Sequence, residues 1–204
     1  MNLQTGSFAS QAIKKGRTPM TTLYFVRHCR PDFSVAEDSV RPLTEEGKQD
    51  ISKINRYLDD KAVDVVVSSP FVRAVDSIKP FADANGKEII VIDGLRERAN
   101  GSFVNDYEEY TKKQWEDFTF KKEFGESLAE VQERNLAALA HILTKFEGKN
   151  IAVSSHITSL CTIIKHYQPD FGYEQVKEIK DVMPFVVKFQ FEGNQFQNME
   201  IVML

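Results

Sequence analysis

A chain of 204 residues, 42% of them hydrophobic, is long enough for one domain with a real core. Its net charge of −4 lacks the basic excess of a nucleic-acid binder, and no apolar run is long enough to span a bilayer. Two cysteines, Cys29 and Cys161, build no disulfide framework and point to a reducing cytoplasm.

Residues 1–19 are polar and rich in small side chains, with Lys14, Lys15 and Arg17 but no apolar stretch of the signal-peptide kind. They read as a flexible leader or an expression remnant with no catalytic part. The first strand signal, Leu23-Tyr24-Phe25-Val26, stops abruptly on Arg27-His28-Cys29. A buried strand ending this way carries two cation-capable side chains to the carboxyl edge of a sheet, where open α/β folds place ligands. Arginine offers a fork of donors matched to phosphate, and histidine carries protons or attacks as a nucleophile near neutral pH.

Residues 44–58 read as a helix capped by Thr44, with Ile51, Ile54 and Leu58 on one side. Val63–Val67 is a second strand running into Ser68-Ser69-Pro70-Phe71-Val72-Arg73-Ala74, where Pro70 is placed to open a helix over 72–84. Arg73 falls in that helix's first turn, where a cation opposes the helix dipole unless an anion lies nearby. Glu88–Ile92 is a third strand, followed by Leu95-Arg96-Glu97-Arg98. Residues 105–120 are charged and aromatic. Ser127 opens a long helix to Phe146, with Glu130 as its capping-box partner.

Asn150–Ser155 is a fourth strand, again ending on a histidine, His156, with a helix over 157–166 behind it. Residues 185–191 and 199–204 alternate like the strands of an edge hairpin. Strands separated by helices imply an α/β three-layer sandwich, a mostly parallel central sheet with helices on both faces. Four strands thus lead to Arg27 and His28, Arg73, Glu97 and His156, a set suited to holding and cleaving a phosphate ester. His141 and His166, in or at the end of helices, read as surface or packing residues, and Cys161 as a small buried hydrophobe.

These segments resemble the histidine phosphatase superfamily, in its phosphoglycerate mutase-like branch. The family's Arg-His-Gly signature appears as Arg27-His28-Cys29, and its Leu-Thr-x-x-Gly segment as Leu43-Thr44-Glu45-Glu46-Gly47. The Ser-Ser-Pro-x-x-Arg-Ala segment is intact from Ser68 to Ala74, and Leu95-Arg96-Glu97 matches the stretch carrying the family's acidic residue. Gly125-Glu126-Ser127 and Ser155-His156 complete the series in the right order. The resemblance implies a catalytic domain over 20–204 and hydrolysis of a phosphate monoester through a phosphohistidine. In it His28 is the nucleophile, Glu97 the proton donor and acceptor, and Arg27, Arg73 and His156 the phosphate-binding set. No metal and no organic cofactor are implied. The expected partner is a small phosphorylated metabolite, with no nucleic acid and no membrane, and the oligomeric state is unreadable.

Two positions depart from the family pattern: Cys29 and Ile157 stand where glycine usually follows the histidines. Two readings stand side by side: both side chains narrow the pocket, with Cys29 an oxidisable thiol beside cations, or both point into the core and affect only packing. Glu126 and Asp32 are the other carboxylates considered for the acid, outside the family position. A cysteine phosphatase loop starting at His28-Cys29 needs arginine at position 35, which is Val35. A paired His-x-Thr phosphodiesterase is met by His156-Ile157-Thr158 but not by His28-Cys29-Arg30. Mutase-type phosphoryl transfer shares the same site, although the segment 98–124 is short for the larger mutases. A silent phospholigand-binding module is the remaining alternative.

Overall fold

In a computed structural model, residues 18–102 and 104–204 are described, so the expected leader lies outside the described residues except for exposed Thr18 and Pro19. The elements in chain order are β1 (Met20–Arg27), α1 (Glu45–Leu58), β2 (Val65–Ser68), α2 (Val72–Ala84) and β3 (Ile89–Val91). A short 3-10 turn at Asp93–Leu95 leads on to α3 (Tyr107–Glu116), α4 (Leu128–Lys145), β4 (Asn150–Ser155), α5 (Ile157–Tyr167), α6 (Tyr173–Ile179), β5 (Phe185–Glu192) and β6 (Gln195–Met203).

The sheet runs β3-β2-β4-β1-β5-β6. Its first four strands are parallel, and the C-terminal hairpin β5–β6 adds two antiparallel pairings at one edge. The expected α/β sandwich is present, with a mixed sheet. Alternation along β1 shows why both faces are covered. Leu23 and Phe25 enter one core with Ile151, Val153 and Phe189 beneath α4, α5 and α6. Tyr24 and Val26 enter the other, with Val66 and Ala152 beneath α1 and α2. Strands apolar on both faces are what a sheet buried by helices on each side requires.

Capping follows the sequence signals. Thr44 Oγ1 accepts from Gly47 N at 3.0 Å to start α1, and Ser127 with Glu130 forms a reciprocal capping box at the start of α4. Pro70 does not open α2: Phe71 is the N-cap and Val72 the first helical residue. The helix α6 had no counterpart in the sequence reading.

The register puts three strand ends side by side. Arg27 faces Ser155 across the β1–β4 pair, and Ser68 faces Ser154 across β2–β4. His28 N donates to Ser155 O (3.1 Å) and Ser69 N to Ser154 O (2.9 Å), so the ladders run one residue past the strands and fix the backbone there. The chain passes from β1 to β2 across β4, and this reversal of strand order leaves a crevice at the carboxyl ends.

Candidate active site

At these strand ends His28, Arg73 and His156 come together. His28 follows β1 and is 95% buried, while His156 follows β4 and is fully buried; their ring centroids lie 5.1 Å apart. His28 Nδ1 bonds to Cys29 O at 2.7 Å, and Arg73 Nε donates to His28 Nε2 at 3.2 Å. A carbonyl accepts only, so Nδ1 carries the proton and Nε2 keeps its lone pair. Burial, with the charges of Arg73 and Arg27, holds the His28 pKa well below its usual value. The residue is a neutral imidazole with its basic nitrogen facing a guanidinium.

Ser69 Oγ lies 2.7 Å from His156 Nε2 and also accepts from Phe71 N at 3.2 Å. With the hydroxyl donating to Nε2, Nδ1 bears the proton, and it is buried without a partner among the described residues. His156 too is held well below its usual pKa, by burial first and then by His28 and the neighbouring arginines.

Both neutral histidines act on stability. An unfolded histidine titrates near 6.5, so below that pH the unfolded chain binds protons that the folded one refuses. Stability is present above pH 6.5 and is lost as pH falls, by about 1.4 kcal/mol per pH unit per histidine until the folded pKa is reached. The urea midpoint is expected to drop steeply from pH 7 to 5, with His28→Gln and His156→Gln each removing part of the slope. A midpoint independent of pH in that range would contradict the buried neutral pair.

Arg73 is clamped from the loop between β1 and α1. Its Nη1 donates to Asp38 O (2.5 Å) and its Nη2 to Asp38 Oδ2 (3.2 Å), which leaves Nε directed at His28. Asp38 is thus the anion that offsets a cation in the first turn of α2. Ser77 Oγ joins the same parts from behind, donating to Arg73 O and accepting from Cys29 N. Neither Asp38 nor Ser77 was identified from sequence.

Arg27 has a double placement. Its Nη1 donates to Ile179 O, Lys180 O and Val182 O at 3.1, 2.8 and 2.7 Å, capping the end of α6. Its Nε is buried without a partner among the described residues, and burial lowers its pKa to about 10.

Glu97 lies beyond the turn after β3 rather than at a strand end. Its Oε1 accepts from Arg98 N (2.7 Å) and its Oε2 from Thr158 N (3.3 Å) in the first turn of α5. The backbone of this stretch is held by Arg134, a further residue missed from sequence. Arg134 Nη1 donates to Gly94 O and Arg96 O, its Nη2 to Glu97 O, and it forks onto Glu126. Glu126 also accepts from Arg96 Nη2 and Ala99 N. Burial raises its carboxyl pKa, but bonds from Arg134 and Ala99 and the nearby arginine charges outweigh this and hold it low. Glu126 is therefore a brace and a poor acid. Asp32 is occupied by Ser34 Oγ and Ser34 N in an exposed turn. Gly47 shows why its segment needs glycine: a Cβ there would stand 2.3 Å from Arg30 O, against the backbone behind His28.

The two departures separate. Cys29 is fully buried in the core under α1 and α2, and burial pushes its thiol up to about 12. Of the two readings of Cys29, core packing fits this placement and the pocket-narrowing, readily oxidised thiol does not: its side chain packs, and its backbone serves the site. Ile157 lines a cavity beside the crevice. His141 and His166 are exposed on α4 and α5, and Cys161 is buried.

Comparison with known proteins agrees with this architecture. A chain in Bacillus subtilis, the uncharacterized phosphatase PhoE, is 24% identical over 158 residues, 74% of this chain and 81% of that one. A phosphoserine phosphatase from Entamoeba histolytica, solved with 3-phosphoglyceric acid, superposes with a TM-score of 0.73 at 21% identity over 90% of this chain and 98% of its own. A mycobacterial glucosyl-3-phosphoglycerate phosphatase gives 0.70 at 17% identity over 90% and 98%. The family model for the histidine phosphatase superfamily, branch 1, matches residues 23–201, from the first core residue of β1 into β6. The chain belongs to that superfamily.

Proposed function

We propose that this protein hydrolyses the phosphate monoester of a small metabolite through a phosphohistidine on His28. The observation that carries the reading is the imidazole pinned at Nδ1 by Cys29 O, with Nε2 basic and facing Arg73. Nε2 attacks phosphorus in line, the bond to the alcohol oxygen breaks, and Glu97 protonates that oxygen. Glu97 then takes a proton from water, which attacks phosphorus and frees His28 and phosphate. Arg27, Arg73 and the Nδ1–H of His156 stabilise the equatorial oxygens, the electrostatic role that dominates phosphoryl transfer. Residues 20–204 act as one catalytic domain. Related folds carrying phosphoserine or 3-phosphoglyceric acid support a small phosphorylated substrate. Two free buried cysteines fit a reducing cytoplasm, and no helix of the described residues is long and apolar enough to cross a membrane.

Side chains supply the charge stabilisation, so the reaction needs no metal. Among the described residues no three or more His, Cys, Asp or Glu are grouped to hold one. A panel of phosphorylated metabolites, assayed for released phosphate after exhaustive chelation, is expected to show undiminished turnover. Loss on chelation with recovery on magnesium or manganese would count against the mechanism; no release from any ester would end the hydrolase reading.

A further inference from the structure

Beside the crevice, between α3, α5 and α6, lies a cavity of about 250 Å³. Trp115, Ile157, Cys161 and Val176 give it apolar walls. Arg98 and Thr158 also line it, and their backbone N–H groups are the two that hold the Glu97 carboxylate. The space therefore adjoins the acid that meets the departing oxygen.

The guanidinium in its wall has no carboxylate among its hydrogen-bond partners. Arg98 is 97% buried, and its guanidinium partners are neutral: Nη1 donates to Gln114 Oε1 and Nη2 to Tyr107 Oη at 2.7 Å. The rings of Tyr107 and Tyr110 flank it at 5.5 and 5.2 Å, and its Nε has no partner among the described residues. A buried cation without a carboxylate is costly unless something else answers it. Lys177 and Lys180 line the same cavity, and the carboxylate among its lining residues, Glu108, lies 3.7 Å from Lys180. Arg98, Lys177 and Lys180 thus line the apolar hollow with one carboxylate, Glu108, and the Glu97 carboxylate adjoins it.

We propose that this cavity receives the alcohol part of the ester, and that it selects alcohols carrying a second anionic group on a short apolar body. The inference rests on the phosphomonoesterase reading above. A site whose buried charge is answered by the substrate discriminates against an analogue lacking the charge, because the cation is then left unpaired.

The test compares propyl phosphate, 3-phosphonooxypropanoate and propane-1,3-diyl bisphosphate, three esters alike in chain length. The wild type is expected to favour a charged ester over propyl phosphate by roughly 10- to 100-fold in kcat/KM. The two charged arms separate a carboxylate from a second phosphate as the favoured group. Arg98→Gln is expected to collapse the preference, and Lys177→Glu, an exposed change at the same cavity, to reduce it. The ratio between esters is insensitive to simple loss of folded enzyme, which lowers all rates together. Equal rates in the wild type, or a preference untouched by both variants, would overturn the anion site and leave hydrolysis standing. Failure to release phosphate from any of the three, or from the metabolite panel, would instead remove the reading on which it rests.

Discussion

His28→Ala is expected to cut phosphate release by about 10⁴-fold or more, since residues acting as one nucleophilic unit lose nearly everything when the nucleophile goes. The fold should persist. The substitution removes a side chain whose bonds are to Cys29 O and Arg73 Nε, and Arg73 keeps its two contacts to Asp38. The assay is turnover alongside acid quenching of a phosphate-labelled reaction and peptide mapping, with label expected on His28 in the wild type and absent from the variant. Label on Cys29 is the sharpest contrary result, because Cys29 is fully buried in the core under α1 and α2. Undiminished turnover in the variant would be equally fatal.

The second large effect is expected at Arg27, where function and stability meet. Arg27→Leu removes one cation from the phosphate set and leaves the carbonyls of Ile179, Lys180 and Val182 without their shared donor. Ile179 O still accepts from Val182 N, so the carbonyls of Lys180 and Val182 are the ones left unpaired; each costs about 1–3 kcal/mol when buried, and partial access to water here brings the total to about 3 kcal/mol. In a domain of this size that is roughly 6–12 °C in Tm. Arg27→Lys keeps a charge but not the fork, and should recover only part of either loss. An unchanged Tm for Arg27→Leu would mean that α6 is held by packing alone.

Much of this was legible in the chain because local signals agreed. The β1 run ending on Arg27-His28, the Thr44 cap and the Ser127–Glu130 box each declare themselves within a few residues, and parallel register then brings Arg27 beside Ser155. What escaped reading depends on distance or on direction. Asp38 meets Arg73 across 35 positions, and Arg134 reaches Glu97 O across 37; no local pattern marks either pairing. The seven residues of α6 are too few to show a helical period. The fate of Cys29 was hidden because the chain leaves the ladder after His28, so strand alternation no longer says which way a side chain points.

The placement of Arg27 has a thermodynamic consequence. One guanidinium belongs to the proposed phosphate set and also grips the end of α6, the helix that forms a wall of the neighbouring cavity. Occupancy of one compartment that shifts this side chain changes the shape of the other, so the two binding equilibria are linked. Linkage is reciprocal: whatever factor a bound phosphoryl group applies to affinity for the alcohol, the alcohol applies to affinity for the phosphoryl group. In a hydrolase of this design, a side chain of β1 would thus couple the affinities of the two products for their separate compartments.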